Sequence, residues 1–270
     1  MRIIPHDGKI LGETRDVRFL KALGREIEVA RIVSFGRCNY YCPYCRRDAQ
    51  FVDHNGNVMN SVDVPHSTIY AILEESLHRG QRIRLSGGDP CMHLRDSLDI
   101  AEWAFDKGHK ISLCHNGSSP AYIKRMASYI AYAAIDLKAI DPDEYALRAG
   151  IDAHIAKKVM GHFDDVCWSI LEYPDALLDI RTCVFSDTVV DDMLAMAQKV
   201  AAFGNNDRTF WTIRQYNPVS GIDWHPLCQE TLNEWMEAIS RQYPNLHIGC
   251  RLDWFGGIFY HWHNGHRASL

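Results

Sequence analysis

Short apolar runs alternate with longer helical stripes along this chain. Six segments read as strands, at 28–35, 82–86, 110–115, 132–138, 178–185 and 210–216; each is rich in β-branched or aromatic residues or closes on a polar cluster. Helical patterns fill the gaps. Ile69, Ile72, Leu73 and Leu77 form one stripe, with Ser67 available as its N-cap. Leu94, Leu98, Ala101 and Phe105 share one face of a second helix, and Gly108 is placed to stop it. Residues 187–203 and 230–243 read as two more. Strands followed in turn by helices predict an α/β chain with a parallel sheet and right-handed crossovers. A partial (β/α)6 barrel of TIM type and an open doubly wound sheet both satisfy this alternation.

Composition narrows the class. The chain has 270 residues, 47% hydrophobic and 23% charged, which is enough to bury one sizeable core and too apolar for disorder. No repeat, low-complexity tract or linker interrupts the main body. Lys and Arg number 29 against 34 Asp and Glu, a net charge of −5 that gives no support to DNA or anionic-membrane binding. The longest apolar run, 129–135, falls far short of the ~20 residues that span a bilayer. The N-terminal sequence lacks the apolar core of a signal peptide. Nine cysteines, six of them scattered singly, do not read as a disulfide framework, so a reducing cytoplasm is the expected location.

The chemistry concentrates after the first strand, in Cys38-Asn39-Tyr40-Tyr41-Cys42-Pro43-Tyr44-Cys45. Three thiolates from one loop can converge on a metal or a cluster. A zinc knuckle in an interaction module wants a fourth ligand at regular spacing, and the remaining cysteines form no second pair. A redox pair at Cys42 and Cys45 leaves Cys38 without a role. A [4Fe–4S] cluster uses all three and leaves one iron open to a small molecule. The second strand closes on Ser86-Gly87-Gly88-Asp89-Pro90, where glycines permit close backbone approach to a ligand, or simply a tight turn.

The Cys-x3-Cys-x2-Cys spacing, with Tyr44 before its last cysteine, resembles the signature of the radical S-adenosylmethionine (SAM) superfamily. Gly87-Gly88-Asp89-Pro90 is similar to that superfamily's Gly-Gly-Glu-Pro motif, with Asp for Glu. The resemblance implies an oxidoreductase with a [4Fe–4S] cluster on Cys38, Cys42 and Cys45, whose open iron is chelated by SAM. Reductive cleavage then gives a 5′-deoxyadenosyl radical that takes hydrogen from a substrate, under anaerobic conditions. It further implies cofactor contacts from Tyr44, Cys45 and Arg46, and from Gly87, Gly88, Asp89 and Pro90, with Asp89 and the strand-end carbonyls accepting from the methionine ammonium group. A side chain at Gly88 is then expected to fill the space for the methionine end and leave the cluster in place.

His115-Asn116-Gly117 and Asp136-Leu137-Lys138 narrow the resemblance to the glycyl-radical-enzyme activating enzymes, such as those of pyruvate formate-lyase and anaerobic ribonucleotide reductase. This adds Asn116, Asp136, Leu137, Lys138, Arg181 and Asn217 to the implied cofactor contacts. Asn217 stands where the activases carry a histidine, and Cys114 where they often carry an aspartate. The implied partners are an electron donor of flavodoxin or ferredoxin type and a glycyl-radical enzyme whose backbone glycine loses hydrogen. The rival substrate is a small molecule: a nucleoside, an amino acid or a peptide-derived product.

The resemblance divides the chain into an extension at 1–27, a radical SAM core at 28–218 and an aromatic, His-rich extension at 219–270. Residues 46–64 read as a functional loop beside the cluster. His261, His263 and His266 offer imidazoles to a metal or to a polar, aromatic cover. Trp254, Phe255, Tyr260 and Trp262 discriminate the substrates. Rings packed over the strand C-termini suit a small molecule, and rings packed outside leave the face open to a protein loop.

Overall fold

A computed structural model describes residues 1–15, 29–45, 61–204, 207–219, 221–251 and 259–269. The chain enters through β1 (Arg2–Ile3) and β2 (Gly12–Arg15), which both pair antiparallel with β3 (Val29–Phe35); β4 (Val62–Asp63) pairs with β1. From β3 the sheet runs parallel through β5 (Arg82–Gly87), β6 (Ile111–His115), β7 (Ile130–Asp136), β8 (Leu177–Val184), β9 (Thr209–Gln215) and β10 (His247–Arg251). Two antiparallel strands, β11 (Phe259–His263) and β12 (His266–Ser269), extend the far edge. All six expected strands are present, and β10 is a seventh parallel one. β7 stops at Asp136, so Leu137 and Lys138 lie just beyond it rather than within it. Both terminal segments contribute strands to the same sheet as the core.

The helices are α1 (His66–His78), α2 (Leu94–Asp106), α3 (Pro120–Met126), α4 (Pro142–Ala149), α5 (Ala153–Leu171), α6 (Val190–Ala201) and α7 (Gln229–Gln242). Four match the apolar stripes; α3, α4 and α5 fill the gaps after β6 and β7, where the alternation calls for helices but no stripe marks one. Pro65 rather than Ser67 precedes α1, and Ser67 sits inside the first turn. α4 carries its own signals. Asp141 accepts from the backbone N–H of Asp143 and Glu144 at 2.9 Å, Pro142 takes the first position, and Gly150 ends the helix at φ +63°.

Period-two alternation sorts the sheet's faces. Ile83 and Leu85, Leu178 and Ile180, and Trp211 and Ile213 belong to one apolar core with the helices. The alternate residues Arg84, Ser86, Arg181, Cys183, Thr212 and Arg214 line a cavity on the other side. Glu13 of β2 and Arg251 of β10, from opposite ends of the parallel set, line that same cavity. The sheet therefore curls on itself as a partial barrel, and the open doubly wound alternative falls away.

Trp262 is 1% exposed and shares the outer core with Leu232, Met236 and Ile239 of α7, and Tyr260 packs against that core. Trp254 and Phe255 lie outside the described residues. On the opposite face of β10 and β11 the rings of His247, His261 and His263 stack, with centroids 4.0 Å apart for the His247–His263 pair. His247 Nδ1 and His261 Nε2 share a hydrogen bond of 3.1 Å, and Asp207 lies 3.4 Å from His247 Nε2. Burial, then the neighbouring His247 and His263, push the His261 imidazole down to about 4, and burial lowers His247 as well. Both groups bind fewer protons folded than unfolded. Stability should thus be fully present above about 6.5, the free imidazole value, and fall as pH drops toward 4. His261→Phe should flatten the dependence of Tm on pH across that window; identical slopes would refute the assignment.

Candidate active site

The cysteine loop leaves the end of β3 and is seated from two sides. Gly87 has φ +113°, and a Cβ there would meet Phe35 N at 2.2 Å. Gly88 N–H donates to Phe35 O at 2.8 Å, and Asp89 N–H to Arg37 O at 2.7 Å. A Cβ on Gly88 would stand 2.2 Å from Arg37 O and 2.9 Å from Cys38 N. Gly87 therefore admits the end of β3, and Gly88 admits the backbone of the cysteine loop itself, where the sequence suggests a ligand. From the other side Tyr41 N–H donates to Ala149 O at 3.0 Å, and a Cβ on Gly150 would meet Tyr41 O at 2.2 Å. Cys45 N–H closes the loop onto Cys42 O at 3.0 Å.

Asp89 is the clamp between β5, β6 and the loop. Its carboxylate pairs with His115 Nδ1 at 2.8 Å and accepts the N–H groups of Cys91 at 2.9 Å and Asn116 at 2.8 Å. Burial opposes its charge, but His115 and these donors outweigh burial and hold it below the usual carboxylate range. Asn116 in turn donates from its side chain to Asn39 Oδ1 at 2.7 Å, reaching between Cys38 and Tyr40. The Asp89 carboxylate is thus spent on its own turn and the end of β6, and Asn116 carries that fixation across to the loop.

One cavity of about 640 Å³ gathers nearly all the residues singled out by sequence. Cys38, Cys42, Cys45, Tyr44, Gly87, Gly88 and Asp89 line it, as do Asn116, Asp136, Leu137, Lys138, Arg181 and Asn217. Pro90 is buried and starts the 3-10 turn Pro90–His93 instead, and Arg46 lies outside the described residues. The Lys138 ammonium, its side chain 5% exposed, bonds Asp136 at 3.0 Å and Tyr44 Oη at 3.3 Å. Burial works against that charge, yet Asp136, Cys42 and Tyr44 hold the ammonium well above its usual range. Tyr44 is itself wedged against Phe185 and Trp224, with ring centroids at 5.0 and 6.1 Å.

A family model described as the Radical SAM superfamily matches residues 32–198. The chain belongs to that superfamily. Radical SAM enzymes use a [4Fe–4S] cluster and SAM. The site fits the pair: three soft thiol donors from one loop, none in a disulfide, open onto a polar cavity of ligand size. This replaces the zinc-module reading. A Methanocaldococcus jannaschii protein provisionally named a glycyl-radical enzyme activating enzyme is 25% identical over 69% of this chain and 72% of its own length. A Methanococcus maripaludis protein provisionally named GTP 3′,8-cyclase is 31% identical over 50% of this chain, but only 45% of that relative is covered. A radical SAM methyltransferase from Sphaerobacter thermophilus shares the fold over 90% of this chain and 77% of its own, with TM-score 0.59 and 14% identity. Among the described residues no helix is long and apolar enough to cross a membrane.

Apart from Arg181, which the sequence offers as an interior ion-pair partner, sequence reasoning missed the polar interior of this radical SAM barrel. Asp179, fully buried, accepts from Arg181 Nε at 2.6 Å, from Thr212 Oγ1 at 2.5 Å and from the Tyr132 hydroxyl. Arg84, Arg214 and Arg251 line the same cavity. The signal was present as alternation: Asp179, Arg181 and Cys183 recur at every second position of one strand.

Proposed function

We propose that Cys38, Cys42 and Cys45 hold the [4Fe–4S] cluster and that this enzyme takes hydrogen from a small molecule held inside the barrel. With SAM bound, the cluster supplies the superfamily's reductive cleavage to a hydrogen-abstracting radical, its electron coming from a donor of flavodoxin or ferredoxin type. The chain's own task is to position and to exclude water. Gly87, Gly88, Asp89 and Asn116 fix the loop against the strand ends, and Pro90 starts the turn that follows them. In this reading Lys138 pairs with the cofactor carboxylate, and partly exposed Asp136 accepts from its ammonium group. Tyr44, Arg46, Leu137, Arg181 and Asn217 complete the cofactor's surroundings.

The observation that carries the small-substrate reading is the chemistry of the inward strand faces. Arg84, Asp179, Arg181, Thr212, Arg214 and Arg251 are polar side chains presented to an interior cavity, as recognition of a functionalised small molecule requires. A glycine loop would offer them little beyond carbonyl groups. The activase reading keeps two supports: the Methanocaldococcus jannaschii relative, and Tyr260 and Trp262 packing on the outside of the sheet. Deuterium transfer separates the two. Holoenzyme incubated anaerobically with SAM and extract from cells grown on deuterated medium should carry deuterium into 5′-deoxyadenosine from the ultrafiltrate. Deuterium arriving only from the macromolecular retentate would favour the activase.

Lys138→Met keeps the side chain's bulk and removes its charge. SAM affinity measured by equilibrium titration should fall roughly 10- to 150-fold, the weight of a charged hydrogen bond worth about 1.5–3 kcal/mol. Iron content should stay at the parent level. Unchanged affinity would remove Lys138 from the cofactor site.

A further inference from the structure

We propose that Tyr132 is a positioning residue for SAM, acting through Arg181. This rests on the reading of Arg181 as a cofactor contact and accounts for how that contact is built. Tyr132 is 1% exposed and is not among the residues lining the cavity, whereas Arg181 is. Any effect of Tyr132 on a ligand therefore passes through a neighbour. The strand register supplies that neighbour. Tyr132, Ala134 and Asp136 point to the same face of β7, and on β8 Asp179 sits opposite Ala134 and Arg181 opposite Asp136. Arg181 reaches back from the Asp136 level. Its Nε donates to Asp179 Oδ2 at 2.6 Å, its Nη2 to the Tyr132 hydroxyl at 2.8 Å, and its Nη1 faces Cys114 Sγ of β6 at 3.8 Å. Cys114 is paired with Ala134, so the guanidinium group crosses β7 where that strand carries only a methyl group.

The Tyr132 hydroxyl is doubly committed. It donates to Asp179 and accepts from Arg181, so one oxygen ties the acid to the base. Burial pushes its ionisation well above the ordinary range, which keeps the donated proton in place. Thr212 Oγ1 donates to the other Asp179 oxygen at 2.5 Å and holds the carboxylate from β9. A guanidinium group has five N–H donors, and three are engaged by Asp179, Tyr132 and Cys114. The remaining donors are left for an oxygen of a ligand in the cavity that Arg181 lines. Asp179 also balances the charge, so Arg181 can donate to a ligand carrying a sulfonium without repelling it. Among the described residues Tyr132 is the acceptor that fixes the Nη2 corner. Without its hydroxyl the guanidinium group is held at Nε alone by a strong partner, and the end that meets the ligand can swing.

The test is an equilibrium titration of anaerobically reconstituted protein with SAM, comparing the parent, Tyr132→Phe, Arg181→Gln and the double variant. Tyr132→Phe keeps the ring and removes its oxygen, so iron content should stay at the parent level while SAM affinity falls roughly three- to tenfold. Arg181→Gln should cost more, and the Tyr132 change should then have no further effect, because the group it positions is gone. An equal loss from Tyr132→Phe in both backgrounds would show a merely structural role and overturn the inference. Parent affinity in Tyr132→Phe, with a loss in Arg181→Gln, would overturn it as well and leave the cofactor role of Arg181 standing. Parent affinity in Arg181→Gln would overturn that role and the inference together. Should Tyr132→Phe not fold, Asp179→Asn takes its place in the same cycle, where a loss that persists without Arg181 is again the contrary result. The small-substrate reading is decided separately, by the deuterium experiment.

Discussion

Gly88→Val should abolish cluster assembly as well as SAM binding. The reason is geometric. The first atom of any side chain at this position would stand 2.2 Å from Arg37 O and 2.9 Å from Cys38 N, and both are backbone atoms with nowhere flexible to retreat. The hydrogen bonds from Gly88 N–H to Phe35 O and from Asp89 N–H to Arg37 O tie that same stretch to the turn. Relief must come from moving the loop that carries Cys38. Iron content after anaerobic reconstitution should fall from about four per chain to near zero, because three thiolates must converge together. A variant that keeps its iron and loses only SAM affinity would show that the loop can shift without losing its ligand geometry. Gly150→Ala should act the same way from the other flank, against Tyr41 O.

Asp179→Leu should cost about 3–5 kcal/mol of folding stability, the usual result of removing one partner from a buried ion pair. Arg181 would lose its 2.6 Å carboxylate, and Tyr132 and Thr212 would lose their shared acceptor, all within one buried network. At roughly 2–4 °C per kcal/mol for a chain near this size, Tm should drop by about 10 °C. Asp179→Asn retains acceptor capacity for one or two of these donors and should lose less. Equal Tm values for parent and Asp179→Leu would mean that the network contributes nothing net.

Six of the parallel strands were legible because each carries a run of apolar residues in phase with the outer core. β10 was not, since its His247-Ile248-Gly249-Cys250-Arg251 offers only two apolar positions and depends on β9 and β11 for partners. The helices α3, α4 and α5 were missed although Ser119, Asp141 and Asp152 each cap one; their apolar residues were not read as stripes. At the site, the cysteines, Gly87, Gly88 and Lys138 were visible as local motifs. The jobs of Gly88, Asp89 and Asn116 were not, because those jobs are long-range. Asp89 meets His115 across 26 residues, and Asn116 meets Asn39 across 77. Gly150 was equally invisible: it reads as an ordinary helix stop until Tyr41 is seen above it.

Cys114 and Cys183 line the same cavity as the three loop cysteines, so they are the natural rivals for the cluster. Iron content and the reduced-cluster EPR spectrum, recorded with and without SAM, measure the central claim directly in two proteins. Cys114→Ser/Cys183→Ser should retain about four irons per chain and a spectrum that changes when SAM is added, whereas Cys42→Ser should lose both. A cluster that survives in Cys42→Ser, or one that vanishes when Cys114 and Cys183 are replaced, would contradict the account.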